Sequence, residues 1–407
     1  MKRYGVFALL LILVITVIGC RVDTEPLQNM PDFIGTISEV NPFNKQDAYG
    51  QILVEKKVDD YIDKYILTIT KDSQLYEKIG DDLHSIDFDF LESQQQVQIW
   101  FSGPIMESFP MQGTAGQVVV TESAPPTHRQ LAEYWAPVWW QDTDEDDFRA
   151  DYITNIDFDG DWDTLNNWEN FPNFELKAYI YYWVVETLTH WFIGYADYHP
   201  RDWSDDITAP LDQHENDMEG CLLVIKKAGG RFGQFVLVLT RAHEHFYSYK
   251  DYDDPVSKLV IDGNEDIDGD VEFDGHNLHI YVGAEGHAVY GDRRWEDKGF
   301  PSDDGVVYRY TGQAEEPENG NDRNVGYDLI YISDLWEKRN DIELFPEFGV
   351  FSGDNHGENK AHAPWRWDDK DDGKVRADQL FTDPAYLVEY YHDGLGDFSY
   401  IYVFQFR

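Results

Sequence analysis

Short segments with alternating apolar and polar residues follow one another from residue 32 to residue 122. A period of two is typical of β-strands that have one face in a core, and polar or glycine-containing turns separate the segments. Five strands are predicted, at Asp32–Val40, Gln51–Lys57, Asp63–Thr70, Gln95–Phe101 and Gly116–Thr121. This number of short strands in residues 32–122 favours a small, closed, OB-like barrel.

The rest of the chain repeats the β-rich pattern on a larger scale. Residues 123–129 contain paired prolines and are interpreted as a linker. Aromatic and β-branched segments follow at Lys177–Thr189, Trp191–Tyr198, Cys221–Ile225, Phe235–Leu239 and Leu278–Tyr290. One helix is predicted at Asp328–Arg339, and closing strands are predicted at Tyr386–Tyr391 and Phe398–Phe406. We therefore expect an all-β protein in which residues 130–407 form a large antiparallel β-sandwich of the jelly-roll type.

Residues 1–20 have the features of a secretory signal. A basic start and an apolar run lead to Val17-Ile18-Gly19-Cys20, which resembles a lipobox. This pattern predicts a bacterial lipoprotein outside the cytoplasm, held on the membrane by acyl chains at Cys20. The alternative is an uncleaved membrane anchor. The other cysteine, Cys221, lies in an apolar segment and is expected to be a buried small hydrophobe.

The chain is strongly acidic, with a formal net charge of −46 over 407 residues. Such a charge repels nucleic acid and anionic lipid, so neither is an expected partner. A solvated acidic surface explains the charge, and so does binding of divalent cations. We expect a monomer.

A polar loop between two β-like segments holds the densest group of candidate metal ligands. Trp191–Tyr198 precedes it, Cys221–Ile225 follows it, and its acidic and imidazole residues are Asp202, Asp205, Asp206, Asp212, His214, Asp217 and Glu219. Carboxylate oxygens with one imidazole at a sheet edge are typical of a site for a hard divalent cation. If this part is a strand, Asp217 and Glu219 share a face, about 6 to 7 Å apart.

This stretch resembles the necrosis- and ethylene-inducing peptide-like proteins, and equally a vacuolar-protein-sorting-associated family. The resemblance rests on His214-x-x-Asp217-x-Glu219, on Pro200-Arg201-Asp202, and on the aromatic strand before them. It implies a divalent cation beside a sphingolipid-sugar pocket, with Asp202, His214, Asp217 and Glu219 as ligands. Met218 stands where the family prefers tryptophan, and the spacer between Asp202 and His214 is longer.

Three later histidines lie in segments that resemble the groove-lining segments of the same family. His243 and His245 follow the strand at Phe235–Leu239, and His287 follows a predicted strand and a glycine. The resemblance implies that they contact a ligand beside the metal. Each is otherwise a structural histidine that satisfies its own hydrogen bonds.

An acidic segment at residues 155–169 has calcium-loop-like spacing. Its carboxylates are Asp157, Asp159, Asp161 and Asp163, but the glycine falls at the fourth position of the loop and the twelfth lacks glutamate. Either an acidic turn or a second calcium site fits this pattern.

The first module also resembles a small family of uncharacterised extracytoplasmic lipoprotein domains from Gram-positive bacteria. The resemblance rests on Ile34-Gly35, on Lys64 to Leu67, and on Val97 to Ala115. It implies a location and a fold.

Three functions remain open from the sequence. The first is binding of a glycan or glycolipid headgroup that depends on Ca²⁺, Mg²⁺ or Mn²⁺, because carboxylates prefer these cations. The second is a metal-dependent hydrolase with His214 or His243 as the general base. The third is an acidic structural protein of the cell envelope. The chain has no Gly-x-Ser-x-Gly elbow and no phosphate-binding Gly-Lys-Ser/Thr loop.

Overall fold

The structure is a computed structural model that forms two compact units, Met1–Ala124 and Pro125–Arg407. It describes residues 30–45, 47–58, 61–79, 82–122, 125–145, 147–204, 213–228, 230–293, 304–355, 360–370, 376, 378–393 and 398–406. Cys20 and the rest of the predicted signal lie outside the described residues, as do Asp205, Asp206 and Asp212. The division between the units falls within the predicted linker.

The first unit is a barrel of long, bent strands. Its strands are β1 (Phe33–Lys45), β2 (Ala48–Val58), β3 (Tyr61–Ile79), β4 (Asp82–Ser85), β5 (Gln96–Phe101) and β6 (Met111–Glu122). β1 pairs with β2, β2 with β3, β3 with β6, β6 with β5, and β5 again with β1, so five strands close on themselves. The β3–β6 pairing is parallel and the others are antiparallel. The predicted OB-like barrel is confirmed, and β4 forms an additional hairpin with β3.

The second unit contains the remaining strands. They are β7 (Val138–Gln141), β8 (Tyr179–Thr187), β9 (His190–Asp202), β10 (His214–Lys226), β11 (Gln234–Ala242), β12 (His245–Lys250), β13 (Ile261–Asp262), β14 (Ile267–Asp270), β15 (Phe273–Asp274), β16 (Asn277–Val282), β17 (Val289–Tyr290), β18 (Val306–Tyr310), β19 (Val325–Tyr331), β20 (His392–Asp393) and β21 (Tyr402–Phe404). Its short helices are α1 (His128–Tyr134), α2 (Asn167–Asn170), α3 (Ser333–Glu337), α4 (Gln379–Thr382) and α5 (Pro384–Tyr391).

One large curled sheet organises this unit. Its strand order is β14-β12-β11-β10-β9-β8-β19-β18-β7-β16-β15, with β17 beside β16 and β21 beside β8. The run from β8 to β12 is an antiparallel meander, as expected. Outside this meander the sheet is mixed, because β12–β14, β8–β19, β18–β19 and β7–β16 are parallel pairs. The all-β class is confirmed, but the parallel pairs were not predicted from the sequence.

Two hydrophobic cores lie on opposite faces of this sheet. The first joins distant strands, with Trp139 of β7, Leu223 of β10 and Ile280 of β16 in one cluster, because the sheet curls around it. The second packs residues of the other face, such as Met218 of β10, against the aromatic side chains of the C-terminal segments, such as Trp365. Apolar burial on both faces explains why the central strands have few exposed residues.

Two predicted elements near the C-terminus are wrong. Residues 328–331 belong to strand β19, so the helix predicted at Asp328–Arg339 is shortened to α3 (Ser333–Glu337). Conversely, the strand predicted at Tyr386–Tyr391 is helix α5. Its buried residues Pro384, Leu387, Val388 and Tyr391 recur with helical spacing, and proline is favoured in the first helical turn. The predicted strand at Phe398–Phe406 is reduced to β21.

In the described part of the chain, no helix combines the length and the apolar character needed to cross a membrane. Cys221 is buried in the first core, and burial raises the pKa of its thiol well above the usual value. It is therefore a core residue rather than a nucleophile.

Gly194 of β9 provides a test of packing in the second core. It lies opposite Trp183 of β8, and a methyl group on Gly194 would come within 2.0 Å of Cε2 of that indole. We expect Gly194→Ala to lower the free energy of unfolding by about 1–3 kcal/mol, because the core must shift to admit the methyl group. Urea denaturation measures this change. The control is Gly283→Ala, where the nearest atom is 3.9 Å away; equal stabilities of the two variants would contradict the packing described.

Candidate metal and ligand site

The site is built on the pairing of β9 with β10. Their antiparallel register is continuous and places Asp202 opposite His214, His199 opposite Asp217, and Asp197 opposite Glu219. A loop was predicted for most of these positions. In the structure, β9 extends to Asp202 and β10 already begins at His214, so these positions lie on strands. The candidate ligands therefore lie on a rigid ladder.

Asp217 and Glu219 share one face of β10, as the strand period predicts. Cys221 and Leu223 continue this face into the first core, whereas Met218 belongs to the opposite core. His214 reaches the same side as Asp217 although the two are three positions apart, an odd spacing that would place them on opposite faces of a regular strand. The backbone of Asn216 has a φ of 61°, which interrupts the alternation between His214 and Asp217.

A cavity of about 650 Å³ opens where these residues meet the neighbouring turns. It is lined by Asp202, Trp203, Ser204, Gln213, His214, Asp217, Glu219, Arg241, His243, Glu244, Glu285, Gly286, Lys360, Ala361 and His362. The four residues predicted as metal ligands and the predicted ligand-contacting His243 thus share one cavity. Carboxylates outnumber the lysine and arginine side chains in this lining, so the cavity favours a cation.

The His214 ring has a defined orientation at the cavity wall. Its Nδ1 is 2.8 Å from the carbonyl oxygen of Asn216, and because a carbonyl only accepts, Nδ1 carries the hydrogen. Burial lowers the pKa of His214, so the neutral ring presents a lone pair at Nε2. That atom is 3.4 Å from Oδ2 of Asp202, a second acceptor. Nε2 of His214 and Oδ2 of Asp202 are therefore neighbouring acceptors at the cavity wall.

Asp217 is held from behind by a buried imidazolium. His287 donates from Nδ1 to Asp217 at 3.1 Å and from Nε2 to Asp151 at 3.3 Å, and its side chain is fully buried. Burial opposes the charge on His287, but these two bonds outweigh it and raise the pKa of His287 to about 10. Burial likewise opposes the charge on Asp217, and the bond from His287 brings the pKa of Asp217 well below its usual value. His287 therefore supports the cavity rather than lining it.

Glu219 connects β10 to the turn after β11. Arg241 donates to Oε1 at 3.0 Å, and the backbone N–H of His243 lies 3.1 Å from both carboxylate oxygens. Burial raises the pKa of Glu219 well above its usual value in spite of Arg241. Both oxygens of Glu219 are thus occupied by protein donors, and the side chain fixes the turn that carries the exposed His243 ring.

Sequence reasoning missed the second row of polar residues, on β9. Asp197 and His199 are both fully buried, and the ring of His199 stacks on His287 at 3.7 Å. Nε2 of His199 bonds to Oε1 of Gln141 at 3.0 Å, and its Nδ1 faces Asp197 at 3.7 Å. Burial, then the charge of Asp217, raises the pKa of Asp197 to about 7. The alternation of Tyr195, Asp197 and His199 was the available signal.

Unusual backbone conformations surround the cavity. In the described part of the chain, the non-glycine residues with positive φ are Asn216, His243, Glu285, His287 and, in the barrel, Gln94. All except Gln94 lie in the cavity wall or directly behind it. Such conformations persist only where the surrounding structure enforces them, and they concentrate at functional sites.

The other predicted residues lie elsewhere. His245 begins β12 and does not line the cavity. In the acidic turn, Asp159, Asp161 and Asp163 each accept a backbone N–H two residues further on, and Asp157 accepts from the side chain of Asn155. These carboxylates organise their own turn. Among the described residues, no group of three His, Cys, Asp or Glu side chains is close enough to form a ready metal cage.

A family model for a protein of unknown function (DUF3221) matches residues 44–122, which lie in the barrel. No curated protein matches the chain. The barrel is therefore similar to a family whose description gives no activity.

Among solved structures, the chain is similar to necrosis- and ethylene-inducing proteins. "NLPPya in complex with glucosamine" is 15% identical to this chain, with a TM-score of 0.30. The match covers 60% of this chain and 87% of the chain in that structure. "Non-toxic HaNLP3 protein" is 14% identical, with a TM-score of 0.30 and coverages of 60% and 89%. Necrosis and Ethylene inducing Protein 2, from the agent of cocoa's Witches Broom disease, is 16% identical, with a TM-score of 0.25 and coverages of 43% and 74%.

These structures belong to the class that the second unit was expected to resemble. The resemblances to the vacuolar-protein-sorting-associated family and to the Gram-positive lipoprotein domains stay predictions.

The two hydrogen bonds of His287, to Asp151 and to Asp217, form a bridge whose contribution to stability can be tested. We expect His287→Asn to lower the free energy of unfolding by about 3–5 kcal/mol, because two buried carboxylates lose their common counter-charge. Asparagine tolerates the positive φ at this position, so backbone strain does not dominate the result. The control is His190→Asn, an equally buried imidazole that bonds to the hydroxyl of Thr189. Thermal denaturation showing equal losses would contradict the bridge.

Proposed function

We propose that the cavity binds a divalent cation and, through it, a glycan or glycolipid headgroup. The observation that supports this most directly is the orientation of His214. Its Nδ1–H is committed to the carbonyl of Asn216, which directs the Nε2 lone pair towards Asp202 at the cavity wall. Metal-ligating histidines usually donate their other ring N–H to a backbone carbonyl or a carboxylate, and His214 makes such a bond to Asn216.

Asp202, His214 and Asp217 are the proposed ligands; they share the cavity lining but do not form a closed cage in the structure, so the cation would have to draw them together. One oxygen of Asp217 is bonded to His287, which orients the carboxylate and leaves its other oxygen for the metal. Glu219 was predicted as a ligand. We propose that it supports the site instead of binding the cation, because Arg241 and the backbone N–H of His243 bond to its oxygens. Carboxylates with a single imidazole suit Mg²⁺, Ca²⁺ or Mn²⁺.

The cavity has room for a polar ligand above the cation. Its volume of about 650 Å³ lies within the range of small-molecule sites. Ca²⁺ takes about six to eight oxygen ligands, so three side chains leave positions that sugar hydroxyls or water can fill. The exposed ring of His243 and the indole of Trp203 lie in the same wall and provide a hydrogen-bonding group and an apolar surface.

The membrane location completes the proposal. We place the protein outside the cytoplasm, held at the membrane by acyl chains on Cys20, on the basis of the Val17-Ile18-Gly19-Cys20 sequence. A tethered protein with an acidic cavity for a cation and a sugar then acts as a surface binding protein. Turnover of a chromogenic substrate that requires the same metal would favour the hydrolase instead.

Calorimetric titration of the purified chain with Ca²⁺, Mg²⁺ and Mn²⁺ tests the proposal. We expect binding of at least one cation, weakened by about tenfold or more in His214→Ala and in Asp217→Ala, because each removes a ligand. Asp161→Asn is the control, since its carboxylate serves the acidic turn. Binding that His214→Ala leaves unchanged would refute the assignment. A glycan array probed with and without the bound cation then identifies the ligand.

A further inference from the structure

Exposed apolar side chains collect at one end of the barrel. Within the described residues of this unit, the exposed large hydrophobic side chains are Met30, Ile34, Tyr49, Tyr61, Ile62, Met106 and Phe109. Strand pairing assigns all but Tyr49 to a single end. There β1, β3 and β6 begin and β2 and β5 terminate. We call the six residues, without Tyr49, the apolar end.

Several side chains at the apolar end are largely exposed to solvent. Met30 is 87% exposed, Phe109 is 78% exposed and Met106 is 60% exposed, although the barrel has a complete core of its own. Single exposed hydrophobic residues are normal on protein surfaces. A cluster restricted to one end indicates a contact surface.

The loop that presents Met106 and Phe109 has a defined conformation. The backbones of Met106 and Gln112 bond to each other at 2.8 and 3.3 Å, and Ser108 donates from Oγ to the carbonyl of Pro110 at 2.6 Å. Ile105 holds the loop to the barrel, since its Cδ1 fills the space that a side chain at Gly113 would need. The loop therefore holds Met106 and Phe109 outward instead of folding them inward.

The path of the chain indicates what this end contacts. The N–H of Asp32 bonds to Ile99 and its carboxylate accepts from Phe101, so the chain joins the barrel at the apolar end. The sequence before that point contains the apolar run and Cys20, which is twelve positions before Asp32. The chain leaves at the opposite end of the barrel, after Glu122. Whichever anchor residues 1–20 provide, acyl chains or an apolar segment, it is connected to the apolar end.

We propose that the apolar end lies on the membrane, with Met106 and Phe109 inserted at the boundary between headgroups and acyl chains. The inference rests on the membrane anchorage in the proposed function and assigns the surface that faces the lipid. Exposed Lys56 and Lys57 at the end of β2 are placed to reach the headgroups. The net charge of −46 repels anionic lipid, so the expected surface is zwitterionic.

Site-directed fluorescence on the full chain tests this orientation. Phe109→Cys and Met106→Cys place a thiol at the apolar end, and Tyr49→Cys places a matched thiol at the other end. Each is labelled with an environment-sensitive fluorophore and reconstituted into phosphatidylcholine vesicles, with or without a spin-labelled lipid as quencher. Cys221 is buried and does not compete for the reagent, and the unsubstituted chain reports any labelling at Cys20.

We expect blue-shifted, lipid-quenched emission at positions 106 and 109 and aqueous, unquenched emission at position 49. If the chain floats with the vesicles but all three labels are aqueous, the inference is overturned while the anchorage stands. If the chain does not float, both fail. A blue shift at 106 and 109 without vesicles would indicate a protein contact, which also overturns the lipid assignment.

Discussion

The pairing of β9 with β10 is the constraint on which the second unit depends. These strands lie at the centre of the sheet and are buried on both faces, so a shift of one residue would exchange their two core faces. The same register decides which polar side chains meet. It sets Asp217 against His199 and Glu219 against Asp197, four ionisable groups within a hydrophobic sheet. The packing of the core therefore fixes the geometry of the cavity floor.

Burial of so many ionisable groups requires charge compensation. His287 places one positive charge between Asp217 and Asp151, and Arg241 faces Glu219. The remaining pair, Asp197 and His199, carries less charge, because burial raises the pKa of Asp197 to about 7 and lowers the pKa of His199. His287 lies behind the cavity, whereas Asp202, His214 and Asp217 line it together with Arg241 and Glu219. The lining of the cavity therefore contains more acidic side chains than lysine and arginine side chains.

The sequence was sufficient for the local parts of this architecture. Period-two alternation located the barrel strands, and their number predicted closure, because five short strands bury a core most simply as a barrel. The same rule placed Asp217 and Glu219 on one face. It failed at α5, where a run of aromatic and apolar residues fits a strand or a helix, and the helix is favoured because Leu387, Val388 and Tyr391 pack on one side.

The sequence by itself singled out Asp202, His214, Asp217 and Glu219 as candidate site residues, because acidic side chains and an imidazole are concentrated in residues 202–219. Only the tertiary structure decided their roles. Asp151 is 136 residues from His287, and His287 is 70 residues from Asp217, so no local pattern reveals that the three form one bridge. The left-handed backbone at Asn216 turns His214 towards the cavity. Such long-range contacts arise when the sheet curls, because its edge strands then approach the centre of the sheet.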